Sequence, residues 1–220
     1  MNTSFHIAVF ARAPVAGSVK TRLIPLLGEE GAAAAQREMT LRTLATARSV
    51  APGQVSLWTA GQNTHPFFLD CATRFDLGCH PQCAGDLGMR MAECLRTQLM
   101  RHEPVLLIGT DCPALSAADL HAAAQALLQG AQMVFTPAED GGYVLVGAHD
   151  HGVSGNTAAG FLQAFQAIDW GTPYVMAQTR ARLTAIGWQA GRDWHELPVL
   201  WDVDTPFDYA RAQKCGLLRS

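Results

Sequence analysis

The sequence predicts a single α/β domain with a mostly parallel sheet covered by helices. Short apolar runs typical of buried strands alternate with longer stretches of helical character. No internal repeat, low-complexity tract or long linker divides the 220 residues. A chain of this length exceeds the commonest domain size, but α/β domains often reach it as one unit. We therefore expect one domain over residues 1–220.

The candidate strands share short length and a largely apolar composition, as expected for strands that are covered on both faces. They are His6–Phe10, Val55–Thr59, Val105–Ile108, Met133–Thr136, Tyr143–Val146 and a late run near Leu197–Leu200. Each is bounded by residues that favour turns or helices, so the strands are expected to alternate with helices along the chain.

Three stretches between these runs are predicted to be helical. Gly31–Val50 is rich in Ala and Leu, and Leu87–Met100 carries apolar residues at helical spacing. Ser116–Leu128 opens with a Ser-x-x-Asp capping box, and Leu115 and Leu120 lie where a hydrophobic staple would form. The capping box and the staple together indicate where this third helix begins.

The composition excludes several classes of function. The chain is 49% hydrophobic and 16% charged, which is unlike a disordered protein. Its 16 basic and 19 acidic residues give a net charge of −3, so no cationic field favours nucleic acid or an anionic membrane as partner. No apolar run approaches the roughly 18 residues of a membrane span. With no basic leader and six scattered cysteines, we expect a cytoplasmic protein with reduced thiols.

A basic loop follows the first predicted strand. It reads Ala11-Arg-Ala-Pro-Val-Ala-Gly-Ser-Val-Lys-Thr-Arg-Leu23 and combines a glycine, Gly17, with the cations Arg12, Lys20 and Arg22. Glycine allows close approach of the backbone to an anion, and Lys and Arg supply charge and hydrogen-bond donors. The spacing matches neither a Walker loop nor Gly-x-Gly-x-x-Gly. Any one of these cations alone would be interpreted as a solvated surface residue. The three cations together predict that the loop, beginning at Ala11, binds phosphate.

Four acids, Asp111, Asp140, Asp202 and Asp204, each come just after a predicted strand. Because the carboxyl ends of strands in an open parallel sheet form the ligand crevice, these acids should converge with the basic loop. A carboxylate cluster is costly without a cation, and Mg²⁺ or Mn²⁺ is the usual partner of carboxylates and phosphates. We therefore predict Asp111, Asp202 and Asp204 as metal ligands.

Capping roles are the alternative for these acids. Asp111 could cap the helix that follows it, although Ser116 already fills that position. Asp204 or Thr205 could cap the last helix, with Pro206 at its first position. Helix capping and metal binding are compatible at this end of the chain. If Asp204 or Thr205 caps the helix, Asp202 is the acid that is freer to bind a metal.

Two further loops contain glycine beside charged residues. In Glu139-Asp-Gly-Gly-Tyr143 a hairpin would explain Gly141 and Gly142, but it would not explain two acids at the crevice. We predict both glycines as nucleotide contacts, and Asp140 as catalytic together with Asp111 and Lys20. In Gly85-Asp-Leu-Gly-Met-Arg-Met91 the acid, Asp86, is either a helix N-cap or part of the nucleotide site, and Arg90 is a candidate partner for phosphate.

Six motifs in order resemble one family over about residues 5–209. They are Phe10-Ala-Arg-x-Pro-Val-Ala-Gly-x-Val-Lys-Thr-Arg-Leu23, Gly85-Asp-Leu-Gly-x-Arg-Met91, Gly109-Thr-Asp-Cys-Pro113, Pro137-Ala-Glu-Asp-Gly-Gly-Tyr143, Trp170-Gly-Thr172 and Asp202-Val-Asp-Thr-Pro206. The chain resembles the glycosyltransferase-like family sometimes called radical-SAM/selenodomain-associated transferase 1, within the GT-A, or nucleotide-diphospho-sugar transferase, superfamily.

The resemblance implies a Rossmann-like GT-A domain, a mostly parallel twisted sheet with helices on both faces. It also implies that Arg12, Lys20 and Arg22 hold nucleotide phosphates. Asp111 stands where relatives keep the metal-binding acid of an Asp-x-Asp-like motif, but here the motif reads Thr-Asp-Cys. A second acidic ligand must then come from elsewhere, and Asp202 and Asp204 are the candidates.

Three functions follow as hypotheses. The first is a metal-dependent glycosyltransferase that passes a sugar from a nucleotide diphosphate to a small-molecule acceptor. The second is a nucleotidyltransferase, resembling guanylyltransferases, in which an acceptor phosphate attacks a nucleoside triphosphate and pyrophosphate leaves. The third is a nucleotide-binding module without catalysis, for which the acids would be superfluous.

Overall fold

The computed structural model describes residues 5–61, 64–100, 104–151, 161 and 163–219. Within these ranges one sheet has seven strands: β1 His6–Arg12, β2 Val55–Ala60, β3 Gly78–Pro81, β4 Val105–Ile108, β5 Met133–Pro137, β6 Tyr143–Ala148 and β7 Trp194–Glu196. Their order across the sheet is β3-β2-β1-β4-β6-β5-β7. All neighbours pair in parallel except β6, which is antiparallel to β4 and β5. The predicted mostly parallel sheet is confirmed.

Helices cover both faces of this sheet, as predicted. They are α1 Ile24–Val50, α2 Pro66–Phe75, α3 Leu87–Leu99, α4 Ala117–Leu128, α5 Val175–Ala185 and α6 Pro206–Lys214. Side chains alternate across a strand, so Ile7 of β1 packs with α1, α2 and α4 on one face, while Ala8 packs with α3 and α5 on the other. A third cluster joins α6 to the start of α1 around Leu23 and Trp201. We refer to the two faces as the α1 side and the α3 side.

Local capping explains where two helices begin. The side chain of Ser116 accepts a hydrogen bond from the backbone N–H of Asp119, and the Asp119 carboxylate accepts one from the backbone N–H of Ser116, so the predicted capping box is present. Thr205, rather than Asp204, is the N-cap of α6 and forms a second capping box with Asp208. Pro206 takes the first helical position, as predicted.

The first helix is longer than expected. It begins at Ile24 instead of Gly31, and it passes through a kink at Gly28, whose φ of 71° and ψ of 172° are not helical. The positive φ is accessible to glycine without steric cost, so two helical segments join there with only a local break.

The last strand, predicted near Leu197–Leu200, lies earlier in the chain than expected. The chain pairs with β5 at Trp194–Glu196, before the predicted Leu197–Leu200. Pro198 interrupts the later run because it has no N–H to donate to a strand ladder. Hydrogen bonds from the backbone N–H of Leu197 and of Leu200 still hold this stretch alongside β5.

Three elements, β3, α2 and α5, carried no prediction. Strand β3 lies at the edge of the sheet and is mostly exposed, so it has no apolar run to mark it. Helix α2 is short and begins at Pro66. No helix in the described ranges is both long and apolar enough to cross a membrane.

Candidate functional site

A cleft of about 510 Å³ opens at the carboxyl ends of β1 and β4. Its walls come from the loop after β1, the loop after β4, the start of α3 and the segment before α6. Ligand pockets commonly measure roughly 300–1,000 Å³, so the cleft has room for a nucleotide. Eight of the residues singled out in the sequence line it: Ala11, Arg12, Lys20, Arg22, Arg90, Asp111, Asp202 and Asp204.

Lys20 lies at the junction of three of these segments. Its Nζ is 3.2 Å from Oδ2 of Asp111 and 2.8 Å from Oδ1 of Asp204, and it donates a 2.7 Å hydrogen bond to the carbonyl oxygen of Val203. The side chain is 5% exposed. Burial alone lowers the pKa of Lys20, but the negative charges of Asp111 and Asp204 outweigh it and raise the pKa. The ammonium group is therefore charged at neutral pH.

Asp111 is oriented from behind by two buried polar side chains. Gln36 of α1 donates a hydrogen bond of 3.0 Å to Thr110, and the hydroxyl of Thr110 lies 3.4 Å from Oδ1 of Asp111. The backbone N–H of Val203 donates 2.8 Å to the carbonyl oxygen of Asp111, which joins the loop after β4 to the segment before α6. Sequence reasoning missed Gln36, because a single Gln within an Ala-rich helix carries no recognisable signal.

Asp202 has a perturbed acidity. Burial raises its pKa, and the charges of Asp140 and Asp204 raise it further, to about 6 from an ordinary 3.8. Lys20 acts in the opposite direction but does not compensate. Burial and neighbouring negative charges therefore act together on Asp202. We use the term acidic end for Asp111, Asp202 and Asp204, which line the cleft, together with Asp140, which does not line it but acts on Asp202 through its charge.

The predicted set of three metal-binding carboxylates is not assembled. Among the described residues no group of three or more His, Cys, Asp or Glu side chains could hold a metal ion. Asp204 is instead engaged by Lys20 and lies 3.7 Å from Arg22. Mg²⁺ is usually held by one or two carboxylates together with substrate phosphates, so Asp111 and Asp202, which line the cleft, remain the candidate ligands for such an ion.

The three arginines of the cleft have no close carboxylate partner, a property they share with Arg37, Arg42, Arg48, Arg74 and Arg182 among the described arginines outside it. In the described part of the chain no carboxylate lies within ion-pairing distance of Arg12 or Arg90, and Arg22 has only the 3.7 Å contact to Asp204. The Nε of Arg90 donates to the carbonyl oxygen of Gly85, which leaves its two terminal nitrogens available. Four other arginines have acidic partners at 2.6–2.8 Å: Arg96, Arg180, Arg192 and Arg211. The cleft thus presents unneutralised guanidinium groups.

Two residues predicted at the phosphate site have conformational roles instead. Gly17 is not among the cleft residues; it adopts a φ of 75° in a turn where Ser18 N–H bonds to the Val15 carbonyl. Asp86 is the N-cap of α3 and accepts a 2.8 Å hydrogen bond from the N–H of Met89. The capping alternative for Asp86 is confirmed, and the cleft begins one residue later, at Leu87.

The acidic glycine loop is a hairpin turn between β5 and β6, and it does not line the cleft. Asp140 accepts a 2.9 Å hydrogen bond from the N–H of Gly142. Gly141 has a φ of 90°, its carbonyl accepts from Met176, and a Cβ there would overlap the carbonyl oxygen of Pro173. Close packing against Pro173 accounts for Gly141 without a ligand, whereas Gly142 meets only the Asp140 side chain, and the role of both glycines as nucleotide contacts stays a prediction. Asp140 influences the site through its charge on Asp202.

The wall at the α3 end of the cleft contains residues that the sequence did not single out as functional. Phe10, Gln82, Leu87 and Tyr143 line it. The amide nitrogen of Gln82 donates to the carbonyl oxygen of Trp58, so its carbonyl oxygen is left for other partners. The mixture of apolar surface and a few polar groups is typical of small-molecule sites.

Comparison with protein families identifies the chain. Residues 43–172 match the family described as "Uncharacterized protein conserved in bacteria" (DUF2064), which is more than half of the sequence. The chain belongs to the DUF2064 family. The matched range includes Arg90 and Asp111, whereas Lys20, Asp202 and Asp204 lie outside it. A search of curated proteins gave no match.

Solved structures share the fold of this DUF2064 chain over its full length. A protein from Desulfovibrio desulfuricans G20, described as a nucleotide-diphospho-sugar transferase, is 25% identical with a TM-score of 0.78, covering 100% of this chain and 92% of its own. A cytidylyltransferase from Leptospira borgpetersenii is 12% identical with a TM-score of 0.62, covering 100% and 89%. A nucleotidyl transferase from Methanothermobacter is 15% identical with a TM-score of 0.61, covering 96% and 98%. The GT-A-like fold expected from the sequence is confirmed.

Proposed function

We propose that this protein is a transferase that uses a nucleotide-activated donor, and that the donor is a nucleotide diphosphate sugar. The observation that carries the proposal is the presence of Arg12, Arg22 and Arg90 in one cleft without close carboxylate partners. An unneutralised guanidinium group is suited to binding phosphate through paired N–H donors. Three of them around a cleft of nucleotide size favour a ligand with two phosphates.

The comparisons support the same class of donor. The structure from Desulfovibrio desulfuricans is the one with the higher identity, 25%, and is described as a nucleotide-diphospho-sugar transferase. The two nucleotidyl-transferring proteins, at 12% and 15% identity, support the fold alone. The preference for a sugar donor therefore rests on the first comparison and on the charges of the cleft.

In the proposed reaction an acceptor hydroxyl attacks the anomeric carbon, the bond from this carbon to the diphosphate oxygen breaks with its electron pair staying on the nucleoside diphosphate, and the hydroxyl proton passes to water. Arg12, Arg22 and Arg90 bind the donor phosphates and stabilise the charge that grows on the departing nucleoside diphosphate. Asp111 and Asp202 would hold Mg²⁺ or Mn²⁺, which supplies additional positive charge to the diphosphate when bound. The apolar wall at Phe10 and Leu87 excludes water from the nucleotide.

The acidic end favours sugar transfer over nucleotidyl transfer to a phosphorylated acceptor. Burial raises the pKa of Asp202 most, and the charges of Asp140 and Asp204 raise it more than Lys20 lowers it, so the negative charge around Asp202 is only partly compensated. A phosphorylated acceptor would add further negative charge there, whereas a neutral hydroxyl acceptor would not. A module that only binds nucleotide would have no use for this uncompensated charge.

Product analysis tests the proposal. The protein is first screened by thermal shift with nucleoside diphosphates and nucleotide diphosphate sugars, with Mn²⁺ or with EDTA, because a ligand of the folded state raises the melting temperature. Hits are then incubated with candidate acceptors. Release of nucleoside diphosphate supports sugar transfer, whereas release of pyrophosphate from a triphosphate would replace it with nucleotidyl transfer. Affinity that is unchanged by EDTA and by Asp111→Ala would contradict metal-dependent catalysis.

A further inference from the structure

Lysine is rare in this protein, and one of its lysines is buried. Of the 16 basic residues only Lys20 and Lys214 are lysines; the others are arginines. The side chain of Lys20 is 5% exposed, whereas Lys214 is exposed near the end of α6. A buried ammonium group is costly unless it is paired and hydrogen-bonded, so its surroundings should account for its charge.

The hydrogen-bonding capacity of Lys20 is fully used. An ammonium group has three N–H donors and no acceptor. Three oxygens lie within 3.2 Å of Nζ: the Val203 carbonyl, Oδ1 of Asp204 and Oδ2 of Asp111. No donor is left for a phosphate oxygen unless one of these contacts breaks. The cleft arginines, in contrast, have terminal N–H groups available.

The backbone conformation of Lys20 also indicates a structural role for this residue. Its backbone is in the left-handed region, with φ 46° and ψ 42°, a conformation that is unfavourable for an L-residue with a side chain. This backbone conformation occurs at the residue whose side chain reaches the loop after β4 and the segment before α6. Such strain persists only where the surroundings over-determine it.

We propose that Lys20 is a positioning residue that fastens Asp111 and Asp204 to each other, and not a ligand of the substrate phosphates. The side chain of Lys20 joins the loop after β4 to the segment before α6, so that Asp111 and Asp202 face the same cleft, while the arginines of the basic loop do not depend on it for their position. The phosphates bind to Arg12, Arg22 and Arg90. Only the binding of phosphates by the arginines rests on the proposed function; the positioning role of Lys20 does not.

The compact charge of an ammonium group explains why position 20 is a lysine in a chain whose basic residues are mostly arginines. The ammonium group is a point charge whose three donors can face three oxygens around it. The guanidinium group of arginine is planar and forked, and it suits paired oxygens on one side. Three acceptors from three different chain segments, as found around Lys20, match the first geometry.

Amine labelling of the unmodified protein tests directly whether Lys20 is held by Asp111 and Asp204. The protein is treated with a low concentration of an acetylating reagent, and the modification of Lys20 and Lys214 is followed by mass spectrometry. We expect Lys20 to react slower than Lys214 by on the order of a hundredfold, because its contacts must open first. Asp204→Asn should raise the rate at Lys20 and leave Lys214 unchanged. Equal rates at the two lysines in the unmodified protein would overturn the proposal.

Pyrophosphate binding separates positioning from phosphate contact. Titrations in EDTA compare the unmodified protein with Arg22→Ala and with the charge-conserving pair Lys20→Met/Asp204→Asn. The pair should retain pyrophosphate affinity within about threefold, whereas Arg22→Ala should lose about tenfold, since one charge-assisted contact is worth about 1.4 kcal/mol or more. A loss in the pair as large as that in Arg22→Ala would overturn the positioning role.

The two measurements also distinguish the two proposals. If the unmodified protein does not bind pyrophosphate, or if Arg22→Ala has no effect, the phosphate site fails while slow labelling of Lys20 still supports its positioning role. The single variant Lys20→Met should melt at a lower temperature than the pair, because it leaves two carboxylates without their cation. A pair that melts no higher than the single variant would count against Lys20 acting through Asp204.

Discussion

Paired and unpaired arginines can be compared directly within one helix of this protein. Helix α3 contains both kinds of arginine: Arg90 lines the cleft without an acidic partner, and Arg96 pairs with Glu93 at 2.7 Å. The two residues differ mainly in what they contact. They therefore form a matched pair for testing which cations bind phosphate.

Arg90→Ala should weaken binding of a nucleoside diphosphate by roughly tenfold, because it removes one charge-assisted contact to phosphate. Arg96→Ala should leave the affinity within a factor of about two, since exposed ion pairs contribute little. Calorimetric titration at two salt concentrations measures both. Equal losses in the two variants would mean that the effect is one of general charge and not of the cleft.

Asp202 should make the folded state less stable as the pH rises. Its folded pKa of about 6 exceeds its ordinary value of 3.8, so the folded state binds more protons than the unfolded state between these values. This contribution to the unfolding free energy is therefore greatest below pH 4 and is lost as the pH rises through 6. Asp202→Asn should be more stable than the natural protein at pH 7–8 in EDTA, by on the order of 1 kcal/mol after solvent screening.

Urea unfolding of the two proteins between pH 4 and 8 measures this difference, which should shrink towards zero at the acid end. Asp70→Asn, at an exposed position of α2, is the control for loss of a carboxylate and should show no such trend. A difference that does not vary with pH would show that Asp202 destabilises the fold by some cause other than its charge.

Several site residues could be predicted because each follows a strand in the sequence. Asp111, Asp202 and the cations of the basic loop were found in this way, and all of them line the cleft. Their partners could not be predicted, because the contact of Lys20 with Asp204 joins residues 184 positions apart. A residue type indicates what a side chain can bind, and only the fold determines which groups reach it.

At the scale of elements, the β5–β6 hairpin shows that packing of the chain on itself can account for a glycine without a ligand. Gly141 and Gly142 were expected to face a ligand, but they form a turn that packs against the backbone before α5. Glycine permits close approach of any backbone, and the sequence does not say whether the approaching group belongs to a ligand or to the chain itself.

Gly141→Ala should destabilise the protein by roughly 2–4 kcal/mol, because the methyl group adds overlap with the Pro173 carbonyl to an unfavourable φ. Gly187→Ala, after α5, is the matched control: its φ of 85° is also positive, but nothing lies within 4 Å of the added Cβ. It should cost only about 1 kcal/mol. Thermal and urea unfolding measure both, and similar losses would show that packing against Pro173 is unimportant.

Capping signals were reliable and apolar runs less so. The starts of α4 and α6 follow from Ser116 and Thr205, because a cap is a local hydrogen bond between residues three apart. The last strand depended on pairing with β5, a distant segment, and Pro198 excluded the run that hydrophobicity favoured. Local interactions can be predicted from local sequence, whereas strand pairing depends on the whole sheet.

At the scale of the whole molecule, one sheet supports two cores. Cys71 and Cys112 are buried on the α1 side, and Cys94 is buried on the α3 side. Burial raises the pKa of Cys71 to about 11 and that of Cys112 to about 12, so neither thiol is ionised at neutral pH. Cys215 is exposed. These thiols report separately on the two cores and on the surface.

Pulsed alkylation at pH 8 should modify Cys215 rapidly and the three buried cysteines slowly, at one common rate. A common rate is expected because both cores share the strands of a single sheet and should open together. Mass spectrometry of each cysteine-containing peptide measures the rates. Faster modification of Cys94 than of Cys71 and Cys112 would show that the α3 side opens independently.

The class of fold, the alternation of strands and helices, the basic loop and several acids at strand ends could all be inferred from the order of the amino acids. These follow from periodicity, composition and capping, which act over a few residues. The folded chain was needed to show that Lys20 joins Asp111 to Asp204, that Arg90 stands unpaired in the cleft, and that Gly141 packs against the backbone at Pro173. These features depend on contacts between segments far apart in sequence, and the sheet order β3-β2-β1-β4-β6-β5-β7 brings those segments together.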